Sequence, residues 1–439
     1  MTMRRATQTT FGTVFGDTRI DPLTDHVFFQ EGPGLRDWQW TGSGMKVING
    51  RNILVDGTLD LSNTDRYISL EEFDSRYSYF AVEDGDTVVT SSGTIGKVGR
   101  IHRHHLPVMM NTSVIRFHPL PGAELDADFL FSFLRSSLFQ EQAASFAIGA
   151  AQPNFGPAHL KQMKMPIPPL STQRKIAAIL SAYDDLIENN LGRIKILEEM
   201  AQNLYREWFV KFRFPGHQHA RFTDSPLGRI PEGWEVDTVE RTFAIFGGGT
   251  PSRTVPGYWN EGTINWYSPT DLTATGSMFM DRSGDKISEL GLAKSSARSF
   301  PPFSVMMTSR ATLGVISINT TDACTNQGFI TCVPNERFPL YTLYYWLKEN
   351  VEYFISLGTG STFKEITKGV FKTIELVIPA PVIVTQFEGT VQQFALQVLN
   401  LQRKNTTLRR TRDLLLPRLI SGEVDVSELD IAVPDEAGI

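Results

Sequence analysis

The chain has 439 residues, 41% hydrophobic and 21% charged, with a formal net charge of -6. That length predicts two or more domains. No apolar run nears the roughly 18 residues of a membrane span, and the N-terminal MTMRRATQTT has no apolar stretch behind its basic residues, so neither a membrane protein nor a secreted one is expected. The two cysteines, Cys324 and Cys332, stand at a spacing that suits no zinc site, which predicts buried free thiols in a reducing cytoplasm. The acidic balance weighs against a nucleic-acid binder, but only as a whole-chain sum, because a DNA footprint is local.

Residues 1–30 are polar without clear periodicity and are expected to form a loose arm. From Asp37 the pattern becomes short strands, WQW, MKVI and ILV, punctuated by Gly42, Gly44, Gly50 and Gly57. SLEEFDSRYSYF (69–80) predicts a short helix, and DTVVTSSGTIGKVGRI (86–101) two strands around a Ser/Gly/Thr loop. VMMNTSVIRF predicts another strand, ADFLFSFLRSSLFQEQAASF (127–146) an amphipathic helix, and GAAQPNFGP (149–157) a loop. MPIPPL (165–170) is an extended lead-in that closes a first mixed α/β globule, residues 1–170; Pro168 and Pro169 forbid helix before Ser171.

A long helix is predicted over 171–212, with no proline and one glycine, Gly192. Its seam positions recur at spacings of four and three: Ile176, Leu180, Tyr183, Ile187, Asn190, Ile194, Leu197, Ala201, Leu204 and Trp208. Such a heptad pattern asks for a partner helix of similar length, since roughly 50 Å of helix cannot bury its seam against one compact domain. The partner is predicted near the C-terminus, over 384–420, with the seam Phe387, Val391, Phe394, Val398, Leu401, Asn405, Leu408, Arg412, Leu415 and Leu419. An antiparallel pair sets Asn190 opposite Asn405, Ala201 opposite Phe394 and Arg412 opposite Tyr183, where stacking is available. A parallel pair would bury each amide against an aliphatic side chain at about 1–3 kcal/mol.

Between the helices, 213–231 is expected to be a linker and 232–383 a second globule that repeats the first. TSRATLGVIS (308–317) matches TSSGTIGKVG (90–99), ACTNQGFITCV matches VMMNTSVIRF, LYTLYYWLKENVEYF (340–354) matches the 127–146 helix, LGTGSTFKEI (357–366) matches the 149–157 loop, and LVIPAP matches MPIPPL. Thr385 and Glu388 form the pattern of a capping box for the second long helix, and 421–439 is an acidic tail. The chain is thus predicted to be a tandem duplication, with its halves related by a pseudo-two-fold through an antiparallel pair. On DNA, two different readers on such a spacer imply a split, asymmetric target.

PIPPLSTQRKIAAIL (166–180), LEEMAQNLYREWFVKFRFPG (197–216), IPEGW (230–234), GGGTPSR (247–253), INWYSPTDL (264–272) and RDLLLPRLISGEVDV (412–426), in that order and spacing, make the chain resemble the specificity subunit of a type I restriction–modification system. The resemblance covers nearly the whole chain. It implies an α+β fold of two target recognition domains joined by two long helices in an antiparallel intramolecular coiled coil. It also implies a non-catalytic, cytoplasmic subunit that reads a bipartite double-stranded DNA target and docks two methyltransferase subunits and a restriction/motor subunit. S-adenosylmethionine, ATP and Mg are then expected on those partners and no cofactor here. One departure is that the first globule lacks a GGGTP segment and has FQEGPG (29–34) near that place.

The residues themselves agree with a non-enzyme. No Asn-Pro-Pro-aromatic loop for a flipped base, no phosphate-cradling GxxxxGK[ST] and no nuclease-type Glu-x-Lys cluster occurs, and Gly247, Gly248 and Gly249 are followed by no Lys-Ser/Thr. His102, Arg103, His104 and His105 could place two imidazoles on one strand face, but no carboxylate or thiol stands nearby to complete a metal site. DNA contacts are expected from loops rich in Arg, Lys, Ser, Thr, Asn and Gln, which bond phosphates and base edges. In the first globule these are Arg51, Ser92, Thr94, Lys97, Arg103, Gln152 and Asn154; in the second, Arg253, Ser268, Thr270, Ser309, Arg310, Thr312, Thr362 and Lys364. The readings from other classes are a protein scaffold and a specificity partner of a fused restriction–methylation enzyme. Two diverged polar loops argue against a mere scaffold.

Overall fold

The computed structural model describes residues 6–9, 12–15, 18–54, 57–62, 64–146, 154–360 and 364–433. The chain divides into two compact units, Met1–Ile187 with Thr407–Ile439, and Glu188–Thr406. The two long helices, Leu170–Tyr205 and Pro381–Ile420, each run from one unit into the other.

In the first unit an antiparallel sheet runs in the order Val27–Glu31, Val114–Pro119, Thr87–Thr90, Val98–Arg100. A second sheet orders Tyr67–Ile68, Met45–Ile48, Val108–Met110, the last pair parallel. Lys164–Ile167 pairs with Arg19–Pro22, and Ala6–Thr9 with Gly12–Phe15. In the second unit the same scheme recurs. Ala244–Gly247, Phe329–Val333, Val305–Thr308 and Ile316–Asn319 take the same order, extended by Phe279–Met280. Asp285–Ile287, Ile264–Tyr267 and Ala323–Thr325 form the second sheet, again with the last pair parallel. Glu235–Thr238 pairs with Glu375–Ile378, and Phe222–Ser225 with Gly228–Pro231. The chain is a tandem duplication in connectivity as well as in sequence.

The packing of the long helices is antiparallel within each unit. In the second, Asn190 Nδ2 donates to Asn405 Oδ1 at 2.8 Å, while further along Phe209 meets Phe387 edge-on at 4.9 Å. In the first, Arg412 binds Asp184, and Lys175 donates to the Ser427 carbonyl. Every seam position is buried or half-buried. Ala201 is buried and Phe394 packs on the same core. Arg412 departs from expectation: its guanidinium is held by the carboxylates of Asp184 and Asp413, since an opposite charge next door is a stronger partner than the Tyr183 ring. Arg135 of the first globule also reaches Asp184, at 2.7 Å.

Several local expectations are corrected. The arm expected over 1–30 is not loose where it is described: 19–22 and 27–31 are sheet strands, and Ala6–Thr9 pairs antiparallel with Gly12–Phe15. The 213–231 linker holds the matching hairpin, with Phe214 and Ile230 in the core. The offset is the same 216 residues for Ala6 and Phe222, Gly12 and Gly228, Arg19 and Glu235, so each repeat begins at its hairpin. Trp38 and Gln39 of WQW lie in a turn of 3-10 helix over Asp37–Gln39, and VMMNTSVIRF is two strands that pass from one sheet to the other. The 127–146 helix breaks at Ser136. The central helix widens into a π turn over Arg206–Val210, and the chain leaves it at Phe212, φ 56°.

The capping box is not formed. The second long helix starts at Pro381, where a missing N–H costs nothing at a first helical position, so Thr385 already lies inside it and donates to the Pro381 carbonyl. Glu388 instead caps another helix, Leu340–Glu349, accepting from Tyr341 N at 3.2 Å, Thr342 N at 2.6 Å and Thr342 Oγ1 at 2.8 Å. Gln173 does the equivalent in the first unit, accepting from Asp126 N at 2.9 Å beside the helix Ala127–Arg135.

Candidate nucleic-acid interface

In each globule the hairpin of the main sheet carries a loop built to one plan. Thr90 Oγ1 donates to the Thr94 carbonyl at 2.6 Å and accepts from Lys97 N at 2.9 Å, and Gly96 N donates to the Thr90 carbonyl. In the second globule Thr308 Oγ1 donates to the Thr312 carbonyl and accepts from Val315 N at 2.9 Å, and Gly314 N donates to the Thr308 carbonyl. The positive φ of Gly93 (75°) recurs at Ala311 (62°), a conformation that strains any residue with a Cβ. One threonine thus ties each loop, and the loop's outer residues are left to vary: Ser92 and Gly93 against Arg310 and Ala311.

Other loops converge on each hairpin loop. In the first globule Ser92 bridges Asn154, Phe155 N donates to the Ser91 carbonyl, and Lys97 Nζ reaches the Gly50 carbonyl at 3.3 Å. This gathers Arg51, Thr94 and Asn154, all exposed, around half-buried Ser92 and Lys97. Arg103 is exposed but lies past the far end of the hairpin, beyond Ile101, whose N–H bonds the Asp86 carbonyl. Gln152 lies outside the described residues. In the second globule Arg310 bridges Glu365, Ala311 N donates to the Lys364 carbonyl, and Ser309 N donates to the Gly328 carbonyl. Ser268 and Thr270 flank Pro269, whose ring touches the space above Gly328. Arg310, Thr312, Lys364 and Thr270 are exposed there, and Ser268 is tied to Asp271 by both its N–H and its hydroxyl at 2.7 Å. Ser309 is a correction: it is 3% exposed, the counterpart of buried Ser91, and the tip residue matching Ser92 is Arg310. Thr362 lies outside the described residues.

The glycine run packs the backbone rather than cradling phosphate. A Cβ on Gly248 would strike the carbonyls of Thr325 and Asn326. Gly32 in FQEGPG abuts Asn111 in the same way, so the first globule does possess the equivalent. Asn111 and Asn326 match too, each accepting from the N–H two residues on. Arg253 is fixed by partners invisible to spacing: its guanidinium lies 3.6 Å from the Trp259 ring centre and 2.6 Å from Asp285 Oδ2. Lys368, which no spacing in the sequence links to the glycine run, has its ammonium against Gly247. His102, His104 and His105 are not on a strand face. Arg103–His105 is a 3-10 turn, and His105 Nδ1 accepts from His102 N. Burial and the two neighbouring imidazoles hold the His105 pKa down to about 4.

A family model described as the type I restriction modification DNA specificity domain matches twice, over residues 42–199 and 231–392. The chain belongs to this family. Each copy of the specificity domain contains one of the tied hairpin loops and runs into one of the two long helices. The specificity subunit of the type I restriction enzyme MjaIX of Methanocaldococcus jannaschii is 24% identical over 84% of this chain and 86% of its own. That of the HindI enzyme of Haemophilus influenzae is also 24% identical, over 60% of this chain and 70% of its own. The crystal structure of a type I restriction–modification S subunit from M. genitalium superposes with a TM-score of 0.52 at 16% identity, over 92% of this chain and 96% of that one, a likeness of fold.

Proposed function

We propose that the chain is the DNA-reading, non-catalytic subunit of a type I restriction–modification complex. In this reading each globule takes one half of a bipartite, asymmetric duplex target. The observation that carries it is the pair of threonine-tied loops, which share the same threonine and glycine bonds yet differ at their outer residues. A shared frame with variable exposed side chains suits two readers of different sequences, because phosphate contacts position a protein and base contacts specify the site. The half-sites come from different loops, so the target is asymmetric, and the stretch between them goes unread.

Methyl transfer and cleavage then belong to partners, two methyltransferase subunits and a restriction/motor subunit, which supply S-adenosylmethionine, ATP and Mg. The central helix offers them a surface. Ile196 and Met200, one turn apart, are 58% and 47% exposed and face no described apolar neighbour in the core clusters. Exposed apolar residues at helical spacing suit a protein partner. Among the described residues no helix is long and apolar enough to cross a membrane, and the buried thiols of Cys324 and Cys332 suit the cytoplasm.

The test is methylome sequencing of a host with and without this chain, beside the same partner subunits, together with methylation assays on the isolated chain. A split methylated motif that appears only with this chain, and no methylation by the isolated chain, is expected. Methyl transfer by the isolated chain would contradict the reading.

A further inference from the structure

We propose that Glu31 reads the amino group of a cytosine or adenine in the half-site taken by the first globule. The proposal rests on the DNA-reading assignment above. Glu31 ends the strand Val27–Glu31 and stands at the loop end of the sheet, next to Gly32, whose backbone lies on Asn111. Its Oε2 would be 3.8 Å from a Cβ on Gly156, and the two residues before Gly156, Asn154 and Phe155, are those paired to Ser92 and Ser91. The carboxylate is therefore set among the converging polar loops.

Glu31 is half-buried, and among the described residues no cation and no hydrogen-bond donor pairs with its carboxylate. Burial raises its carboxyl above its ordinary value. A carboxylate that gives up water without gaining a partner destabilises the free protein, so its place needs another reason. The second globule shows what the same point does there. Gly247 precedes Gly248 as Glu31 precedes Gly32, and the Lys368 ammonium fills the space a side chain on Gly247 would take. One globule thus presents an acid where the other presents a base.

DNA narrows the choice for the acid. Phosphate repels a carboxylate, and the groove acceptors of guanine and thymine repel it as well. The donors that the major groove offers are the N4 amino group of cytosine and the N6 amino group of adenine. A carboxylate at a reading loop accepts from one of these and rejects the other bases by charge, which is selection by repulsion as well as by attraction.

The substitution Glu31→Gln, in the full chain assembled with its partner subunits, separates this role from a structural one. One cytosine or adenine position of the first half-site should lose discrimination about tenfold. Affinity for mixed-sequence duplex should rise at the same time, because a negative charge has left the interface. Glu31→Asp should keep the preferred base with weaker discrimination, and which amine is read follows from the base at the relaxed position. An unchanged methylated motif in Glu31→Gln overturns the proposal, and so does an equal loss of affinity for target and mixed-sequence duplex. A wild-type chain that directs no motif of its own would instead overturn the DNA-reading assignment beneath it.

Discussion

At the residue scale the polar loops were legible by composition, but the role of each side chain was not. Runs of Ser, Thr, Gly, Arg and Lys mark a loop that suits DNA, yet alternation along the chain decides which member faces out. That is why Ser309 is buried and Arg310 exposed. Arg253 shows the other gap: Trp259 and Asp285 reach it through folding, six and thirty-two residues along the chain. Glu31 carries no such signal, because the side chains that bond phosphates and most base edges are cations, amides and hydroxyls, and an acid in a polar loop does not stand out among them. Glu388 fits a local capping pattern with Thr385, yet it caps a different helix. Its carboxyl is pushed above the ordinary value of 4.5 by burial, against the three hydrogen bonds that favour the ion. The folded chain therefore binds a proton at Glu388 where the unfolded chain has lost it, and this group's contribution to stability falls as pH rises from about 4.5 through the raised value. Thermal unfolding of wild type and Glu388→Gln across that range should show a shallower decline in the variant. Equal slopes would show that the carboxylate does not feel its burial.

At the element scale the long helices were the most legible part. A seam of spacings four and three is a property of local sequence, and it needs no knowledge of tertiary structure. The small strands were harder. VMMNTSVIRF alternates like one strand, but the turn at Asn111 sends its halves into two sheets, a decision made by tertiary packing. The paired strands 6–9 with 12–15 and 222–225 with 228–231 are hidden by polar composition, since a short two-stranded ribbon has little apolar pattern to show. The seam makes a direct prediction. Asn190→Ala removes the donor from the buried Oδ1 of Asn405 and should destabilise the chain by about 1–3 kcal/mol. Replacing both amides by leucine should recover part of that loss, because it removes the amide acceptor that Asn190→Ala leaves behind. Urea unfolding of the two single variants and the double variant measures the coupling. Additive losses would show that the two amides do not depend on each other.

At the scale of the whole molecule, the sequence carries the same design twice and the structure repeats it in strand order, in the threonine tie and in the glycine contact on Asn111 or Asn326. Duplication of the frame with divergence at the tips is the basis for two independent readers. Independence is the central claim, and one exchange tests it. Residues 222–380, from the second repeat's hairpin to the residue before the second long helix, are replaced by the matching segment of another specificity subunit. The methylome of a host carrying the chimera with its partner subunits is then sequenced. The account predicts a motif in which one half-site is new, while the other half-site and the unread gap are those of the parent. A motif in which both halves change together would contradict it.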